Sequence, residues 1–91
     1  MTIREIDFQN DNWMIEIDAL IGTMFGELNN KETRKQIKYK VEVILLHHGI
    51  TAKVICSSKN NTQKIIDKND FRVHVCTMNV DYVFRYHPRK I

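Results

Sequence analysis

Residues Asn30 to Ser57 read NKETRKQIKYKVEVILLHHGITAKVICS, and the change of period inside this stretch decides the fold. Over its first part Arg34, Ile37, Val41, Ile44, Leu45 and His48 recur at helical spacing on one face, while Lys31, Lys35, Lys38 and Glu42 lie mostly away from it. Asn29 or Asn30 is suited to cap this helix, and Glu32 places negative charge in its first turn, where the helix dipole favours it. His47-His48 followed by Gly49 is a C-terminal signal, because glycine accepts the conformation needed just beyond a cap. From Ile50 the period drops to two. Ala52, Val54 and Cys56 alternate with Lys53, Ile55 and Ser57, which predicts a strand with one face more apolar than the other.

Upstream, Trp13, Ile17, Leu20, Ile21 and Met24 share one helical face after the capping run Asn10-Asp11-Asn12, and Phe25-Gly26 ends that helix. Thr2 to Phe8 reads as a short strand or extended arm within residues 1–9, with Arg4, Ile6 and Phe8 on one side and Ile3 on the other. Downstream, a polar loop at Ser58 to Thr62 leads into an irregular crossing over 62–68. Two strands follow, Phe71 to Thr77 and Val80 to Tyr86, with Met78-Asn79 as the turn between them and Pro88 as the stop. Residues 87–91 read as a flexible tail. The order predicts a single α+β domain over residues 1–91, with two N-terminal helices on one face of a small three- to four-stranded mixed sheet.

The chain has 91 residues, enough for one core and no second domain. A domain of this size buries roughly 60 to 65 % of the surface its unfolded chain exposes, so partners would add appreciably to its stability. The formal charge of +3 is concentrated in Lys31 to Lys40 and in the tail His87 to Lys90. The bland reading is a solvated helix face. The sharper one is a nucleic-acid site of Lys31, Arg34, Lys35, Lys38 and Lys40, although the basic stripe lacks the surrounding logic of dedicated binders.

Cys56 and Cys76, without an apolar leader, read as reduced thiols of a protein made in a cytoplasm, and no run is apolar enough to span a membrane. The adjacent His47-His48 pair points about 100° apart on a helix and cannot readily chelate one ion. Cys56 and His74 on neighbouring strands lack a third group to complete a metal site or activate a nucleophile. Three glycines, none clustered, exclude a phosphate-cradling loop, and Glu16, Asp18 and Glu27 do not form a pair suited to acid–base work. The expectation is no enzyme, no cofactor and no metal. Trp13 and the Tyr82, Phe84, Tyr86 stripe have the spacing of core residues rather than of a base-stacking platform.

Two segments together resemble the C-terminal domain of contractile-tail phage sheath proteins, which is related to lysozyme-like baseplate wedge domains. Phe25, Glu27, Asn29, Thr33 and Arg34 are similar to the sheath motif of Phe-Glu, an Asn, then Thr-Arg opening a helix. Cys56, the loop Asn60-Asn61-Thr62, and then Asp67 and Asn69 resemble the pattern of a strand ending in Val-Cys, an Asn-Asn-Thr loop and Ile-Asp-x-Asn before the next strand. The ordered combination, over roughly residues 13 to 86, carries the likeness.

The resemblance implies a structural assembly module of a phage virion, in the tail sheath, neck or baseplate, that joins neighbouring subunits by strand exchange. Its partners would be other copies of itself or sheath, tube or baseplate proteins, and it would be made in the host cytoplasm and reside in the virion. Residues Thr2 to Phe8 would be the arm and Val80 to Arg89 the edge, with Ile3, Ile6, Phe8, Val80, Tyr82, Phe84 and Tyr86 as the subunit-contact residues that set register. The alternatives are the basic nucleic-acid module described above and a phage-encoded mimic of a structural domain that inhibits a host machine.

Overall fold

The computed structural model describes the backbone of residues 2–5 and, with side chains, residues 12–58, 64–65 and 71–86. Six elements follow in the order β1 (Thr2–Glu5), α1 (Asn12–Met24), α2 (Lys31–His47), β2 (Lys53–Ser58), β3 (Phe71–Cys76) and β4 (Val80–Tyr86). The protein is therefore an α+β domain with both helices ahead of the main sheet strands.

Helix α2 begins where its capping chemistry allows. Asn30, in an extended conformation, accepts a 2.8 Å hydrogen bond from the Thr33 backbone N–H, so of the two candidate asparagines it is the N-cap. At the other end His48 is the cap and Gly49 follows at φ 70°, a left-handed conformation that disfavours a side chain. The Ile50 backbone N–H then donates to the Leu45 carbonyl at 2.9 Å, which closes the helix end before the chain turns into β2. Buried Thr33, Ile37, Val41 and Leu45 form the inner face of α2. The inner face of α1 is formed by Trp13, Met14, Ile17, Ile21 and Met24.

The sheet has the order β1-β4-β3-β2. Strands β2, β3 and β4 run antiparallel, with Cys56 opposite Val73 and Val73 opposite Phe84. Strand β1 joins the far side of β4 in parallel, with Ile3 opposite Asp81 and Glu5 opposite Val83, and this makes the sheet mixed. Alternation places Val54, Phe71, Val73, Val75, Phe84 and Tyr86 on the face towards the helices, where all are buried. Trp13 stands edge-on to Tyr82 and Phe84, with ring centroids 5.2 and 6.0 Å away, and Phe25 meets Tyr86 at 5.9 Å. Such aromatic pairs add about 0.5–1.5 kcal/mol each beyond the area they bury. The opposite face carries Lys53, Ile55, Arg72, His74, Asp81 and Arg85, and of its described residues only Val83 is buried.

One expectation is corrected here. Strand β4 was expected to be an open edge for a neighbour's arm, but it lies inside the sheet, paired with β3 on one side and with residues 2–5 on the other. Its Tyr82, Phe84 and Tyr86 are committed to the core beneath Trp13 and Phe25. The physical reason is that a strand bearing alternate large aromatics gains most when paired on both sides and covered by helices.

Candidate functional site

The segment from Phe25 to Arg34 is held by its own polar groups. The Asn29 side chain, nearly buried, donates to the Ser58 hydroxyl at 3.0 Å, while its carbonyl oxygen accepts from the Arg34 guanidinium at 2.8 Å. Arg34 also donates to the Asn29 backbone carbonyl at 3.1 Å. The Ile65 backbone N–H donates to the Glu27 carbonyl at 3.0 Å, and Leu28 forms an isolated bridge with Lys64. Asn29, braced by Arg34, thus ties the start of α2 to the end of β2, while Thr33 engages the Asn30 cap, Glu27 holds Ile65 through its backbone and Phe25 packs on Tyr86. Their roles are ones of position, and Ser58 is a member of this network that side-chain spacing alone does not reveal.

Alongside that lock runs a groove of about 320 Å³ between α2 and β2. Lys31, Arg34, Lys35 and Lys38 line it from the helix, and Lys53, Val54, Ile55 and Cys56 from the strand. Helical geometry explains the first four, which fall within about one quarter-turn of a common direction on α2. Lys40 points elsewhere and does not line the groove. Lys53 joins the cluster from β2, some distance away in sequence. Among the described residues, no carboxylate pairs with Lys31, Lys35, Lys38 or Lys53.

Cys56 lies on the helix side of β2. Burial pushes its thiol up to about 11, against the opposing pull of nearby Lys38 and Arg34, so it is a poor nucleophile at neutral pH. His74 lies opposite Ile55 on the other face, its ring 3.4 Å from the Ser57 hydroxyl, so Cys56 and His74 do not meet. Burial first, and then Arg72 and Arg85, lower the pKa of His74 below its ordinary value, with Asp81 opposing. His48 is engaged with Glu16 of α1, which ties the two helices together. No group of three or more His, Cys, Asp or Glu side chains able to hold a metal ion occurs among the described residues. No helix there is long and apolar enough to cross a membrane.

A second depression of about 410 Å³ lies towards the C-terminal end of α2, beside exposed Tyr39 and Leu46 and half-buried Ile50. Of the remaining sequence-derived candidates, Val80 begins β4 next to the turn, where Thr77 hydrogen-bonds its backbone, and Ile3 lies in β1 opposite Asp81. Ile6, Phe8, Asn60, Asn61, Thr62, Asp67 and Asn69 lie outside the described residues.

Compared with known proteins, the chain matches no family model, no curated protein and no solved structure.

Proposed function

We propose that this domain is a structural assembly module of a phage virion, acting as a sheath-like, neck or baseplate component that joins subunits by exchange of β1. The observation that carries the reading is the pairing of β1 with β4. Residues 2–5 complete the sheet through a parallel ladder of only four register pairs, Thr2↔Val80 to Glu5↔Val83. Short parallel pairing is weaker per residue than the antiparallel ladders in the rest of the sheet. A neighbour's residues 2–5 would make the same backbone hydrogen bonds on β4. Exchange therefore changes no bond in the ladder and costs chiefly the loss of intramolecular effective concentration, on the order of millimolar for short flexible links. Crowding of copies in a particle offsets that cost. The virion context rests on the sheath-like order of the Phe25 to Arg34 and Cys56 to Asn69 motifs.

The test is the solution mass of the full chain and of a chain lacking residues 1–9, measured by light scattering from micromolar to millimolar concentration. The full chain is expected to form concentration-dependent oligomers that the truncation weakens. A full chain that stays monomeric throughout, and whose truncated form enters particles normally, contradicts the proposal. Removal of residues 80–91 is not a usable control, because it deletes an interior strand rather than an edge.

A further inference from the structure

We infer that the groove between α2 and β2 docks an extended acidic segment of a partner protein, which adds to the sheet as a further strand at the β2 edge. This deepens the assembly reading by naming the chemistry of a partner at the opposite side of the sheet from β1.

Three observations converge on one groove. Strand β2 ends the strand order, and β3 is its one strand neighbour among the described residues. Every second residue of an outer strand directs its N–H and C=O away from its neighbour, which leaves a ladder half-made. The β2 edge is not blunted by a proline, and its outward face carries Ile55, 43 % exposed.

The wall above that edge is basic. Lys31, Lys35 and Lys38 from α2 and Lys53 from β2 line the groove, largely through their apolar stems, and no described carboxylate forms an ion pair with any of them. Arg34, anchored by Asn29, stiffens the wall. Clustered like charges repel, and an anionic occupant relieves that repulsion while pairing with the lysines of α2.

The shape selects the occupant. A strand added to β2 places alternate side chains on the side of Val54 and Cys56, beneath the lysines of α2, and the others beside Lys53 and Ile55. Carboxylates alternating with β-branched residues satisfy both rows. A nucleic-acid backbone meets the charge and its phosphates can accept from the N–H groups of β2, but phosphates have no donor for the C=O groups of the same row, so the acidic strand is the better fit.

The experiment titrates the full-length, isotopically labelled chain with a short peptide of alternating glutamate and valine, following backbone amide resonances. Shifts are expected at residues 53–58 and along 31–38, and a lysine–valine peptide should produce none. Lys35→Glu with Lys38→Glu, both exposed, should leave the amide spectrum folded and weaken binding about tenfold. Two peptides N-methylated at alternate residues, one in each phase, separate pairing from charge. One phase should abolish binding and the other retain it.

Equal binding of both N-methylated peptides, or displacement of the peptide by a short oligothymidylate that binds more tightly, would overturn the proposal in favour of a simple anion or nucleic-acid site. Shifts confined to β1 and β4, or self-association that buries β2, would overturn it as well. None of these outcomes depends on exchange of β1, so the two readings fail separately.

Discussion

The two sides of the sheet differ in how they are finished. On one side the chain closes β4 with its own residues 2–5, a short parallel strand. On the other, β2 ends the sheet with a six-residue strand flanked by the basic wall of α2. The first side is sealed by a piece that an identical chain can supply. We propose that a partner of opposite charge completes the second. Between them lies the rigid part, where Phe84 and Val73 sit under Trp13 and Ile17 with almost no exposure. Such a centre suits the proposed assembly, because strand addition at an edge is only as firm as the strand it adds to.

The largest effect should come from breaking that centre. Phe84→Ala removes a fully buried ring and should destabilise the domain by about 3–5 kcal/mol in denaturant unfolding. Half-exposed Ile55→Ala in the outer strand β2, by contrast, should stay within about 0.5 kcal/mol. Equal losses at both sites would erase the distinction between centre and edge.

Asn29→Ala strips the Ser58 hydroxyl and the Arg34 guanidinium of a nearly buried partner and should cost about 1–3 kcal/mol. Its local signature is sharper than its size. Amide exchange should rise at the end of β2 and the start of α2, and leave β4 unchanged.

The smallest effect is a pH slope on the sheet face away from the helices. Burial together with Arg72 and Arg85 lowers the His74 pKa from its ordinary value of 6.5. The unfolded chain therefore takes up this proton more readily than the folded one. The stabilising contribution is complete above 6.5 and is lost as pH falls through the lowered folded value. His74→Gln should flatten the decline in stability below 6.5 relative to the parent, and an unchanged slope would show that His74 does not carry it.

Much of this division can be read in the sequence, and its limits have physical causes. The period change at Gly49, the Asn29-Asn30 capping pair and the Trp13 to Met24 face are local, so helix bounds follow from neighbouring residues to within a residue or so, and the structure selects Asn30 as the cap. The alternation of Tyr82, Phe84 and Tyr86 identifies a core face but not which strands flank it, because strand order is set by long-range pairing. That is why β4 reads as an edge in the sequence and lies inside the sheet in the fold. Lys31, Arg34, Lys35 and Lys38 are legible as a cluster from helical spacing. Lys53 is not, since it reaches the groove only when β2 packs beside α2. Asn29 and Arg34 are visible as a pattern, and the bond from Asn29 to Ser58 emerges only when the start of α2 meets the end of β2.

The central claim is exchange of β1 between chains, and mixed-label nuclear Overhauser spectroscopy tests it most directly. Labelled and unlabelled full-length chains are unfolded together, refolded at millimolar concentration and examined for contacts that cross from one chain to the other. Strand exchange predicts inter-chain contacts between residues 2–5 and 80–83, in the same register as within one chain. A mixture in which every β1–β4 contact stays within a single chain, at a monomer's mass, would contradict it.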